Sequence, residues 1–108
     1  MSNPVLIAYV TCPDREIAGQ IARDLVEKYH AACVNIVPNL VSVYRWNNKI
    51  ETDDEVLLMI KTTEQAFAGL RNIVLAEHPD ELPEIIAVPV THGLPGYLSW
   101  VEQETSSK

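Results

Sequence analysis

Apolar and polar positions along this chain change texture at regular intervals. Val5 to Val10 is a short, uninterrupted β-rich apolar run, the pattern of a central strand covered on both faces. "TCPD" breaks it, and Asp14 stands where a helix N-cap belongs. Across Arg15–His30, residues Ile17, Ala18, Ile21, Ala22, Leu25, Val26 and Tyr29 recur at helical steps. Arg15, Glu16, Arg23, Asp24, Glu27 and Lys28 lie off that stripe, so the segment predicts an amphipathic helix.

From Ala32 to Trp46 the residues turn β-branched and aromatic, with Pro38 marking a bend or bulge. Asn47-Asn48 then separates two strand-like runs, and asparagine tolerates the positive φ of a two-residue turn. Lys49–Lys61 is therefore expected to return as the second arm of a hairpin. A second helix is predicted over Thr62–His78, with Thr62 and Gln65 at capping-box spacing and Pro79 as its stop. Glu84–Val90 reads as a last strand and Tyr97–Glu104 as a short helix, with the tail Thr105–Lys108 expected to fray.

The order is β-α-β-β-α-β with an added helix, two split βαβ halves. That makes an α+β, ferredoxin-like sandwich in one domain spanning 1–108, a length that suits a single domain. A length then becomes informative. Fifteen extended residues, Ala32 to Trp46, would span about 50 Å. A globule of this size is roughly 35 Å across, judged from its expected radius of gyration. The hairpin must protrude and leave Tyr44 and Trp46 wet, and a projecting hairpin with open edges invites another copy of the chain.

Charge narrows the partners. Eight Lys and Arg against fifteen Asp and Glu give a net charge of −7, which repels phosphate backbones and anionic lipid. Neither nucleic acid nor a membrane is an expected partner. The start "MSNPVLIAYVTCPD" lacks a basic region and a sustained apolar run, so it reads as neither signal peptide nor membrane span. Two cysteines without CxxC spacing fit a reduced, cytoplasmic protein. The 47% of hydrophobic residues can form a core without metal or disulfide staples.

Phosphate-binding GxxxxGK[ST], dinucleotide GxGxxG, GxSxG and HExxH patterns are all absent from the chain. Cys33 with His78 could form a nucleophile and base, although a small thiol packed at a strand start is the simpler reading. Cys12, beside Pro13 in a loop, is expected to be exposed. "EHPDELPEIIAVPVTHG" is the densest stretch of chemistry. His78, Glu81 and Glu84, with Asp80 beside them, offer one imidazole and carboxylates suited to Cu²⁺ or another divalent ion. The competing reading is punctuation: a helix end at His78 and Pro79, then a strand start at Pro83 and Glu84. His30 reads as a surface residue and His92 as a turn residue.

Several stretches, "AACVNIVP", "SVYRWNNKIETDDEVLLMIKT", "HPDELPEIIAVPV" and "GLPGYLSWV", resemble the CutA family of divalent cation tolerance proteins over nearly the whole chain. The resemblance implies a ferredoxin-like homotrimer, cytoplasmic and non-enzymatic, whose long hairpins extend across neighbouring subunits. It also implies a role in tolerance of copper and other divalent metals. The family pattern falls on Cys33, Tyr44, Trp46, Lys61, His78, Glu81 and Glu84, which the resemblance places in or beside an inter-subunit cleft. His78, Glu81 and Glu84 are then the expected metal ligands, with Cys33 as a soft partner. The alternative is a trimer like the PII-type signalling proteins, holding a small metabolite or a partner's segment in those clefts. Two departures stand out: Asn48 occupies a turn position where the family usually has glycine, and Asp80 replaces a frequent tyrosine. A cysteine that some members carry in the first strand has no counterpart at Tyr9 or Val10.

Overall fold

Seven elements follow the expected order: β1 (Val5–Cys12), α1 (Arg15–Glu27), β2 (Cys33–Trp46), β3 (Lys49–Thr63), α2 (Phe67–Glu77), β4 (Ile85–Pro89) and α3 (Pro95–Glu104). The computed structural model describes residues 3–106; Ser107 and Lys108, the end of the tail expected to fray, lie outside the described residues. The four strands form one antiparallel sheet in the order β2-β3-β1-β4, the ferredoxin-like arrangement. No described helix is long and apolar enough to cross a membrane.

Local chemistry sets the element ends. Asp14 caps α1 by accepting the Ile17 N–H at 2.9 Å. The helix stops at Glu27, three residues before the expected end, because Tyr29 turns left-handed (φ 64°) and the His30 N–H reaches back to the Leu25 carbonyl at 2.9 Å. Ala18, Ile21, Ala22 and Leu25 are buried, whereas Val26 and Tyr29 at the stripe's margin stay exposed. The expected capping box at Thr62 and Gln65 does not form. Both threonines remain in β3, which pairs with β1 as far as Val5↔Thr63, and Thr62 donates its hydroxyl to the His30 carbonyl at 2.7 Å. Thr63 instead accepts the Ala66 N–H just before α2.

The hairpin forms as its sequence implies. Asn47 (φ 51°) and Asn48 (φ 65°) both take the left-handed conformation a two-residue primed turn needs. Pro38 and Asn39 interrupt the β2–β3 register between Val37 and Leu40, and Asn39 is itself left-handed at φ 65°. The hairpin stretches the molecule to 45 Å along one axis against 26 and 22 Å across.

Register assigns the two sheet faces. Ala8, Val10, Cys12, Val56, Leu58 and Ile60 turn towards α1 and α2 and make the main core. Ile7, Tyr9, Leu57, Met59, Ile86 and Val88 turn the other way. α3 covers one end of that second face, where Val101 packs on Val5 and Ala32. The buried Thr105 donates its hydroxyl to the Val101 carbonyl at 2.9 Å and lies 3.3 Å from the Thr63 hydroxyl, so the tail is anchored at its first residue. The rest of the face is bare: Ile86 is 54% and Val88 43% exposed. β1 was expected to be covered on both faces, and a single chain covers only one.

Candidate functional site

The segment 78–84 is held by one histidine. α2 closes with the His78 N–H bonded to the Val74 carbonyl at 2.8 Å, and the His78 backbone then turns extended. That swings the ring towards β1. The last β1–β4 pair is Val10↔Ile85, so Thr11 lies one residue past the ladder. His78 Nε2–H donates to the Thr11 carbonyl at 2.7 Å, and the Asp80 N–H donates to Nδ1 at 3.0 Å. A carbonyl only accepts, so the ring proton sits on Nε2 and the Nδ1 lone pair takes the amide. The ring is buried, with both nitrogens engaged. In this arrangement it has no free lone pair to offer a metal, and it acts instead as the pin of the loop.

Beyond the loop opens a groove of about 920 Å³. Tyr44, Trp46, Asp53 and Glu55 of the hairpin form one wall. Asp80, Glu81 and Glu84 line the other, with Thr11 and Ile86 also in its lining. Among the described residues the lining thus includes five carboxylates and no lysine or arginine. Tyr44 donates its hydroxyl to the Asp53 carboxylate. That bond, with some burial and the nearby charges of Asp53, Glu51 and Glu55, pushes the Tyr44 phenol up to about 12. The same negative field reaches the core. Burial first, then Glu55, Asp14 and Asp80, raise the Cys12 thiol to about 12. Cys12 is fully buried in the main core, not exposed in a loop, because β1 runs on to include it.

Asp53 and Glu55 escaped sequence reasoning for a definable reason. Before Pro38 the odd residues of β2 share the face of Leu57 and Met59; after the slip the even ones do, so Ser42 lies opposite Asp53 and Leu40 opposite Glu55. The bulge shifts the parity of β2 alone and so turns Ser42, Tyr44 and Trp46 to that face; Asp53 and Glu55 follow the unbroken alternation of β3, and only the tertiary placement of this arm beside the 78–84 loop brings them into the groove.

The expected cleft residues divide within one chain. Tyr44, Trp46, Glu81 and Glu84 line the groove, with His78 behind them. Cys33 and Lys61 form a cross-strand pair opposite Ile7, four residues along β1 from Thr11, or about 13 Å. Lys61 there donates to the Asn35 side-chain oxygen. Burial and the neighbouring Cys33 thiol raise the Tyr97 phenol. Cys33 and His78 are thus not placed as nucleophile and base. Among the described residues no three His, Cys, Asp or Glu side chains stand together as a metal cluster. The set His78, Glu81, Glu84 and Cys33 does not fit a single ion held by one chain. His30 is no plain surface residue: its ring packs on Gly69, and burial, then Lys28, lower its proton affinity. His92 is an exposed turn residue 3.0 Å from the Thr91 hydroxyl.

Comparison with known proteins places this geometry. The family model for the CutA1 divalent ion tolerance protein matches residues 6–104. The divalent-cation tolerance protein CutA of Thermus thermophilus is 46% identical over 99 residues, covering 92% of this chain and 96% of its own. Mouse protein CutA is 50% identical over 103 residues, 95% of this chain but only 58% of its own length. The chain thus spans a little over half of that relative. The solved Thermus structure superposes with a TM-score of 0.93 at 45% identity, covering 94% of this chain and 99% of its own. The structure of a periplasmic divalent cation tolerance protein CutA from Archaeoglobus fulgidus gives 0.91 at 38% identity, covering 94% and 99%. With its ferredoxin-like sheet, its long hairpin and a match across nearly its full length, the chain belongs to the CutA1 family of divalent ion tolerance proteins.

Proposed function

We propose that this protein works in divalent-cation tolerance as a non-enzymatic homotrimer that gathers cations in the groove between the hairpin and the 78–84 loop. The observation that carries this reading is the groove's one-signed lining. Five carboxylates, with no Lys or Arg among the described lining residues, lower the potential of a concave site and concentrate positive ions there. Glu81 and Glu84 supply hard oxygen ligands for Cu²⁺ or another divalent ion, and His78 holds their loop in place. One chain offers too few fixed ligands, so a neighbouring copy completes the coordination. The bare apolar sheet face supplies the drive to assemble. Both cysteines are free thiols, which suits the reducing cytoplasm.

Titration calorimetry of the metal-free protein with Cu²⁺ and Zn²⁺ tests the reading. Saturable binding that weakens at least fivefold in Glu81→Gln/Glu84→Gln, with the oligomer intact, supports it. Weak binding that falls equally in Glu102→Gln, on the distant helix α3, would mean that general surface charge attracts the ions.

A second reading rests on the aromatic wall. Tyr44 and Trp46 face a space far larger than a bare ion requires, as expected of a PII-like trimer that holds a small organic ligand.

A further inference from the structure

Two acids stand where helix electrostatics least favours them. Glu77 is the last residue of α2 and Asp24 lies in the last turn of α1, and neither turn contains a basic residue. A helix C-terminus carries partial negative charge, so each carboxylate opposes its own helix dipole. The two also meet across the contact between α1 and α2. Glu77 is half-buried, and its Oε1 is sealed from solvent with no hydrogen-bond partner among the described residues. A buried acceptor left without a donor is a cost that the folded chain carries. Burial first, then Asp24, raise the Glu77 carboxyl above its ordinary range, while Lys28 and the Gln20 amide, also on α1, favour the anion. The anion that prevails in neutral solution is thus the form the fold disfavours.

This load falls on the turn that carries the second wall of the groove. His78 follows Glu77 directly, and from Pro79 to Glu84 no side chain is buried. His78, bonded to the Thr11 carbonyl and the Asp80 amide, is the one buried side chain that ties the stretch down. Few buried contacts and a single anchor mark the low-stability end of a fold, where segments open ahead of the rest. Pro79 and Pro83 fix two of the loop's φ angles, so the piece moves as a unit rather than unravelling.

We propose that residues 77–84 form a flap, loaded open by the Asp24–Glu77 contact and held shut by His78 on Thr11, so that one wall of the groove swings while the sheet stays folded. The load is internal to one chain, because α1 and α2 pack on the sheet face opposite the bare one. It acts whatever the groove binds.

Hydrogen exchange at neutral pH, on the oligomer as it exists and without added metal, reads the opening directly. After correction for intrinsic rates, the His78 and Asp80 amides should exchange at least tenfold faster than those of Ala8 and Val10 in the central strand. Glu77→Gln and Asp24→Asn are close in shape to the parent residues, and each turns the acid pair into an amide and a carboxylate that can hydrogen-bond. Either change should slow exchange at His78 and Asp80 at least threefold. Together they should slow it by less than the product of the single effects, because they relieve one shared contact. Glu27→Gln, in the same last turn of α1 but exposed beside β2, should leave both amides unchanged. Amides at 78 and 80 that exchange no faster than those of β1 would mean that the segment opens only with the whole fold, or that a neighbouring copy clamps it. Either case overturns the proposal. So would unchanged or faster exchange in one of the single acid variants, equal slowing in Glu27→Gln, or fully multiplicative effects, since each removes the acid pair as the load.

Discussion

The His78 imidazole bonds the Thr11 carbonyl through Nε2–H at 2.7 Å, joining the end of α2 to the strand beside which β4 has just run out. One side chain thus stands in for the missing rung of the ladder while its other nitrogen receives the Asp80 amide. His78→Ala would strand a buried carbonyl and an amide, at a cost of about 1–3 kcal/mol. For a domain of this size that is a fall in Tm of several degrees or more, since each kcal/mol is worth roughly 4–8 °C. Thermal unfolding at fixed protein concentration measures it. An unchanged Tm would mean that the ring is dispensable as a pin.

Gly69 exists for the His30 ring. A Cβ at that position would lie 2.2 Å from the imidazole, so the half-buried ring would have to swing aside to admit it. Gly69→Ala should cost less than the about 1–3 kcal/mol of rigid overpacking, because the His30 ring can swing aside and alanine favours the α2 helix. Combining it with His30→Ala should cost less than the two single changes together. Denaturant unfolding of the four proteins supplies that cycle, and strict additivity would contradict the packing explanation.

Cys12 links stability to alkaline pH. Its thiol ordinarily ionises near 9.0, and in the folded protein burial, followed by Glu55, Asp14 and Asp80, raises this to about 12. The folded-state value lies above the unfolded one, so the stabilisation is complete below about pH 9 and is lost as pH climbs towards 12. Unfolding measured across that range should show Cys12→Ala with a flatter decline than the parent. Parallel curves would rule out this thiol as a source of the alkaline loss.

The bare sheet face predicts assembly. Light scattering at micromolar concentration should give three times the 12.1 kDa mass of one chain. Met59→Glu, which puts a charge in the middle of that face, should lower the mass towards a single chain. A parent protein that scatters as a monomer would remove the trimer from the functional reading.

Much of the fold was legible because local signals agreed with it. The stripe of Ala18, Ile21 and Leu25, the Asp14 cap and the Asn47-Asn48 turn each act over a few residues, so sequence spacing suffices to read them. The hairpin's overhang followed from chain length alone and matches the 45 Å axis. Helix ends were harder. Thr62 and Gln65 have the spacing of a cap, yet pairing with β1 keeps Thr62 and Thr63 extended, since long-range ladder bonds outweigh one local side-chain bond.

The candidate site divides along the same line. Residue type and clustering singled out His78, Glu81 and Glu84, and the family resemblance added Tyr44 and Trp46 beside them. Only the tertiary structure decided their roles. It committed both nitrogens of His78 to the backbone, set Cys33 about four residues away along the sheet, and brought Asp53 and Glu55 opposite the loop. Those outcomes depend on the placement of the hairpin arm beside the loop and on where β4 stops pairing. Both are settled by contacts between residues far apart in the chain, which no local pattern encodes.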